Sequence, residues 1–567
     1  MAAFNYSFIL FAKSLVLLAA FSNLESKVVK QTMEVYYFSG SPDGVYKEKI
    51  LGINGKFPGP TIEADVGDTV EVTLINKIQD RQNTTLHWHG MHQRGSLFED
   101  GTSQIAQCPL PYGSFQIYKF NVTQPGTYWY HSHVQSQYTE GLFGALIVHG
   151  QPEHYHHDGE LTLTLSDWYH RTAHENERWY LSPESRGISP FPDSGLINGL
   201  GRYPCTFAQL QNRSCTIENQ NRPVFNIQRN VTYRVRIINA GAVASYNFSI
   251  DGHLLETIEV DGIEAAKPIV VNLVSIAPGQ RYSFLVRRSS NIDDDEGRYL
   301  VRATLRKESL SLIEGQNINE YPEALISDVT AVLNYVDEDL GQFHNLVKET
   351  TEMFSYREIV PPPVHHELGK NGQVVYLDEM DLSPLDGIPA PDYFDTEFSI
   401  HTAFVSDENG VRRASFNGTP FSLPHEKPLL ISLLEEEPLP LHSFPLEISY
   451  GSVVQLVVNN PFGPHPLHLH GHHFWVVGAG EMHAGDYDPS INQLRVDGVK
   501  RDTVVVEQGS WVVIRFVADN PGIWTFHCHM DWHNLGGMAL TFVEAADVLR
   551  KEVQVTEEAM RICSLHR

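Results

Sequence analysis

Residues 520–529 read NPGIWTFHCH and residues 124–133 read QPGTYWYHSH. Each opens on a Pro-Gly turn, runs through alternating bulky apolar residues, and ends in His-x-His. Each is also preceded by a matching pair of segments. In the first copy VGDTVEVTLIN (66–76) leads into LHWHG (86–90); in the second GSVVQLVVNN (451–460) leads into HPLHLHGHH (465–473). A third copy lies between them. NVTYRVRIINAG (230–241) leads into FSIDGH (248–253), and DEGRYLVRAT (295–304) stands where the histidine pairs should be. A repeated unit of this kind is one structural module used three times, here with its middle copy stripped of the paired ligands.

The modules are β-rich. TVEVTLIN (69–76), RVRIIN (234–239), SVVQLVVNN (452–460) and WVVIRFV (511–517) show the alternation or the dense β-branched character of strands. Pro-Gly and Asp-Gly turns punctuate them, and sustained helical periodicity is missing. Many short strands at even spacing predict sandwiches, and the fold class is all-β. The expected organisation is residues 23–152, 153–340 and 341–567, with 341–395 (PPPV, DGIPAPDY) as a connector wrapping into the third domain. Residues 1–22 read as a signal peptide. Phe8–Phe21 is apolar apart from Lys13 and ends at Ala20-Phe21-Ser22, a small-x-small cleavage pattern. The run is short for a signal anchor, and no later stretch is long and apolar enough to span a bilayer.

The bulk numbers narrow the function. A net charge of −28 over 567 residues argues against a nucleic-acid or anionic-membrane partner. Of five cysteines, Cys108, Cys205, Cys215, Cys528 and Cys563, four can pair in an oxidising compartment, leaving one over. Sequons at Asn83, Asn121, Asn212, Asn230, Asn247 and Asn417 fit a secreted, extracellular glycoprotein.

The chemistry sits in four His-x-His pairs: His87/His89, His131/His133, His468/His470 and His527/His529. On a strand, residues i and i+2 point to one face, so each pair offers two imidazoles to one cavity. Eight imidazoles at one interface suit a cluster of copper, zinc or iron. Cys528 lies between two of these histidines and its sulfur must point to the other face, where His465 and His533 can meet it. Met538 can add a weak thioether. His₂Cys with a long axial Met is the blue-copper arrangement. A structural zinc site uses four ligands, far fewer than the twelve counted here.

At these residues the sequence resembles the three-domain multicopper oxidases, the laccase and ascorbate oxidase group. The resemblance runs through NGKFPGPTIEADVGDTVEV, HWHGMHQRG, DGTSQIAQCPL, PGTYWYHSH, GLFGALIVHG, SDWYH, INGLGRY, HPLHLHGH and HCHMDWHNLGGM, nearly the whole mature chain. It implies three tandem cupredoxin-like Greek-key sandwiches and four copper ions. Cys528, His465 and His533 match type 1 ligands, with Met538 axial. His87 and His468 match the type 2 ligands. His89, His131 and His527 are expected on one type 3 copper, and His133, His470 and His529 on the other. His472 and His473 are left as supporting or surface residues. Asp100 and Asp531 match acids that relay protons to the cluster. The resemblance also implies the disulfides Cys108–Cys563 and Cys205–Cys215, with Cys528 free.

The implied reaction is four one-electron oxidations coupled to reduction of O₂ to water. Electrons arrive at the type 1 site by the edge of His465 or His533 and pass from Cys528 through His527 and His529. An axial Met stabilises Cu(II), so a low-to-middle potential is expected, suited to electron-rich phenols, catechols and aromatic amines. Fungal-type laccases often carry a pocket acid before the Y-x-F strand of the second domain, and AGAVASYNF (240–248) has none. Ascorbate oxidase shares QRG, the INGLGR-like segment and the axial Met. Ferroxidase activity needs acids beside the type 1 site, and Glu175 and Glu177 read only as a solvated loop. A copper carrier would not need the eight paired histidines.

Overall fold

The structure, a computed structural model, describes residues 26–150, 152–287, 297–310, 325–336 and 374–566. The signal-peptide reading at 1–22 and the part of the connector reading before residue 374 lie outside the described residues.

Thr69–Asn76 shows how the strands arise. Its exposure alternates, with Val70, Val72 and Leu74 fully buried and the residues between them half-exposed, as the two-residue period of a strand requires. It pairs parallel to Val28–Gly40 and antiparallel to Phe115–Asn121. The same parallel pairing recurs twice: Gly159–Trp168 with Tyr233–Asn239, and Thr396–Ser406 with Val453–Asn460. Each copy of the repeat packs this sheet against a second one. The sheets have four and four strands in the first copy, seven and five in the middle copy, six and five in the last. The fold is all-β, three cupredoxin-like sandwiches in tandem, as expected.

In the second sheet of each copy, three neighbouring strands correspond. In the first copy they are Phe143–His149, Gly126–His131 and His87–His89; in the last, Ala539–Glu544, Gly522–Cys528 and His465–Leu469. In the middle copy Asp328–Val336, Arg298–Leu305 and Tyr246–Ile250 take these places. The middle copy thus keeps the scaffold and lacks the imidazoles. Cys108–Cys563 and Cys205–Cys215 are both disulfide-bonded, and Cys528 is free and buried.

Glu175 and Glu177 are not in a solvated loop. They lie in the helix Ala173–Tyr180, which Thr172 and Glu175 open with a reciprocal capping box. Glu177 is buried and accepts hydrogen bonds from Ser136 N (2.9 Å) and Oγ (2.6 Å). The S/T-x-x-E signal was present as T-A-H-E (172–175) in the sequence.

Candidate metal centre

The ladder places the histidines. His87 stands opposite His131, and His468 opposite His527. The first and last copies then face each other, and rings from both stack: His87 on His470 at 4.0 Å and His89 on His468 at 3.8 Å between centroids. Seven of the eight paired histidines are buried and His133 is half-buried. A cavity of about 800 Å³ lies between these copies and reaches His133, lined also by Asn83, Gln104, Pro420 and Asn534.

The hydrogen bonds assign the ring nitrogens. His87 Nδ1 donates to Asp100 O (2.7 Å), His468 Nδ1 to Asp502 O (2.9 Å), His131 Nδ1 to Ser132 O (2.9 Å) and His527 Nδ1 to Cys528 O (2.9 Å). A carbonyl only accepts, so each of these rings carries its proton on Nδ1 and a lone pair on Nε2. The Nε2 atoms of His87, His131 and His468 are buried without a partner. His470 Nδ1 donates to Asp100 Oδ2 (3.1 Å), and its Nε2 faces His527 Nε2 at 3.1 Å. Two lone pairs aimed at each other across that distance repel unless a cation lies between them. Burial comes first among the causes that hold His131, His470, His527 and His529 well below the ordinary imidazole value, and His133 at about 3. Neutral imidazole is the form that binds metal. The donor set fits transition-metal ions on these grounds.

The ring nitrogens gather as His89, His131 and His529, as His133, His470 and His527, and as His87 with His468 and His89, each set within 4.8 Å. This corrects the expected division of the type 3 set, in which His527 and His529 were exchanged. His527 is locked across the ladder from His468 and stays beside His470. His529 lies beyond the strand end and reaches the first copy, with Nε2 3.1 Å from His89 Nδ1. Two residues of strand span about 6–7 Å, enough to send neighbouring rings to opposite ends of one cluster.

On the other face of the strand, Cys528 Sγ lies 3.6 Å from both His465 Nδ1 and His533 Nδ1, and those two nitrogens are 3.1 Å apart. Burial pushes the Cys528 thiol up and holds His533 at about 3. A metal must therefore displace the thiol proton as it binds. Met538 is fully buried, and its carbonyl accepts from Cys528 N at 3.0 Å. His465 and His533, either of them the expected entry edge for electrons, are both 0% exposed. Phe404, half-buried, packs its ring 5.3 Å from His533 and 6.3 Å from His465, and the Arg412 guanidinium lies 5.4 Å over Phe404. The hairpin carrying Phe404 supplies this cover, which the histidine spacing could not reveal.

Asp100 serves both imidazole sets, with Oδ1 3.3 Å from His87 Nδ1 and Oδ2 3.1 Å from His470 Nδ1. Burial pushes its carboxyl up, but the two histidines outweigh it and hold it well below the usual range. Asp531 Oδ2 is buried without a partner, and burial with Glu177 and Asp167 nearby pushes its carboxyl well up. It borders a void of about 10 Å³ shared with His131, His133, His527 and His529. His472 and His473 are buried. His472 meets Glu544 at 2.7 Å, and His473 Nδ1 accepts from His92 Nε2 at 2.7 Å while its Nε2 donates to Asp261 O at 2.9 Å. Sequence reasoning missed Asp502, whose Oδ1 lies 3.3 Å from His89 Nε2. The available signal was KRD (500–502), a charged run leading straight into the apolar TVVV.

Three family models described as multicopper oxidase match residues 34–153, 159–322 and 408–548. The iron transport multicopper oxidase fetC of Epichloe festucae is 32% identical over 97% of this chain and 81% of its own length. The L-ascorbate oxidase of Cucumis sativus is 33% identical over 92% and 90%. Among solved structures, Fet3p, a multicopper oxidase that functions in iron import, superposes with a TM-score of 0.80 at 26% identity, covering 95% of each chain. The laccase of Botrytis aclada gives 0.78 at 26% identity, over 95% of this chain and 91% of that one.

Proposed function

Because this chain belongs to the multicopper oxidases, oxidoreductases that bind four copper ions and use O₂, we propose that it is a secreted, laccase-like oxidase of phenolic and related aromatic reductants. Copper, when bound, supplies one-electron storage and the reduction of O₂ to water. The residues assigned to it are Cys528, His465, His533 and Met538 for type 1, and His87 and His468 for type 2. His89, His131 and His529 form one type 3 set, and His133, His470 and His527 the other.

The observation that carries the reading is the strand Gly522–Cys528 with His529. One face presents the thiol to two imidazoles, and the other presents His527 and His529 to the cluster. Cys528 is covalently adjacent to both, so the chain itself links the donor side to the O₂ side. Asp100 orients His87 and His470, and Asp531 places an unpartnered carboxyl oxygen where a proton is needed. An aromatic donor is supported by Phe404, the half-buried ring against both His465 and His533. Secretion is supported by the apolar N-terminus and by the disulfide Cys108–Cys563. Among the described residues no helix is long and apolar enough to cross a membrane.

Arg412 favours one second reading. It places a cation on Phe404, which suits an anionic reductant such as ascorbate and disfavours Fe(II). Oxygen uptake by the copper-loaded chain with a dimethoxyphenol, ascorbate and Fe(II) at matched concentration decides among them. Fast uptake with the phenol alone is the expected result; faster uptake with ascorbate or Fe(II) overturns the phenol assignment.

Met538→Leu tests the axial position. A thioether stabilises Cu(II), and leucine offers no lone pair, so the type 1 reduction potential is expected to rise. A redox titration showing an unchanged or lower potential removes Met538 from the site.

A further inference from the structure

We infer that Asp502, gripped by Arg281 of the middle domain, is the positioning residue that fixes His89 with Nδ1 turned into the cluster. His89 is set apart from its neighbours. His87, His131, His468, His470 and His527 keep Nδ1 on a carbonyl or carboxylate and leave Nε2 free for the cluster. His89 is reversed. Its Nδ1 faces His529 Nε2 at 3.1 Å, and its Nε2 faces Asp502 Oδ1 at 3.3 Å. A carboxylate only accepts, so it holds the His89 proton on Nε2 and leaves the lone pair on Nδ1.

Asp502 is itself held rigidly. It is fully buried and takes two parallel hydrogen bonds, from Arg281 Nη1 at 2.7 Å and Nη2 at 2.6 Å. Thr503 Oγ1 donates to Oδ1 at 2.8 Å, and the Asp502 carbonyl accepts from His468 Nδ1 at 2.9 Å. The paired geometry of guanidinium and carboxylate fixes direction as well as distance. Arg281 also donates from Nε to Thr127 O at 3.0 Å and from Nη1 to Gly279 O at 3.1 Å. One guanidinium thereby joins all three copies of the repeat at the back of the cluster. Gly279 completes the approach. Its φ is +86°, and a Cβ there would lie 2.8 Å from His529 Cδ2 and 3.2 Å from His89 Cε1. The middle domain, which places none of its own histidines in the sets described above, sets the orientation of a ligand that another domain supplies.

This rests on the copper assignment of His89 proposed above, and the test separates the two. The wild-type holoenzyme is measured first, by copper content, blue absorption and EPR. Four coppers with an EPR-silent pair uphold the assignment; a wild type without them removes it, and the role of Asp502 with it. Asp502→Asn then keeps size but loses the charge that grips Arg281. The expected result is a blue band of wild-type strength, about 10- to 100-fold weaker retention of copper against a chelator, and new EPR-visible copper from the broken pair. Wild-type retention with the pair still silent overturns the proposal. Should Asp502→Asn fail to fold, Arg281→Lys keeps the cation but not the two-pronged grip, and is read for the same signature. Its absence there overturns the proposal equally.

Discussion

Cys528→Ser is expected to abolish oxidation of every reductant and the blue colour, while the chain stays folded and retains copper at the histidine cluster. The thiol is fully buried and lies 3.6 Å from each of two imidazole nitrogens. A hydroxyl fits that volume and can donate to either Nδ1, so folding loses little. Binding chemistry loses much. The thiolate is the soft, polarisable ligand that gives a His₂Cys site its colour and its rapid electron exchange, and an alkoxide is not formed in its place at neutral pH. Loss of an outer partner typically costs about 10- to 100-fold in metal affinity or activity, and loss of the central ligand should exceed that range. Copper analysis, the visible spectrum and oxygen uptake check it together. Retained blue colour, or turnover near wild type, would place the donor site elsewhere.

Asp531→Asn is expected to act on the opposite half of the reaction. Its Oδ2 is buried, unpartnered, and borders a void that touches four of the cluster histidines. The void, about 10 Å³, is near the size of a single water site. Its backbone N–H is already used, donating to Ala242 O at 2.9 Å, so the side chain is the free group. Asparagine keeps the shape and removes the transferable proton. A positioned general acid contributes about 10²- to 10⁴-fold, and a slowing of O₂ reduction of that order is expected. Reduction of the blue site by the phenol under anaerobic conditions should not change. Stopped-flow measurement of the two half-reactions separates them. An equal slowing of both would show that Asp531 supports the structure rather than the proton supply.

The local patterns were legible in sequence for a physical reason. Strand alternation and the His-x-His spacing both follow from the two-residue period, so Thr69–Asn76 and the opposed faces of Cys528 and its neighbours could be read directly. The repeat pointed to three sandwiches, and strands 69–76, 233–239 and 453–460 each take a parallel partner at the equivalent place in their own copy. Register could not be read this way. Whether His527 or His529 joins His89 depends on which residue the ladder opposes to His468, and spacing within one strand is silent on that. The cover over His465 and His533 comes from Phe404, and the side chain beside His89 is Asp502, itself held by Arg281, each distant in sequence from the motif it serves. Glu177 looked solvated because its partner, Ser136, lies in another domain.

These side chains are expected to hold four copper ions, one in an isolated site and three in one cluster. Diffraction from crystals of the copper-loaded protein, with anomalous data collected across the copper edge, tests it most directly. One peak is expected among Cys528, His465 and His533. A cluster of three should lie within reach of His87 and His468, of His89, His131 and His529, and of His133, His470 and His527. An anomalous peak missing from the Cys528 site, or a cluster in which His527 and His529 have exchanged partners, would contradict it.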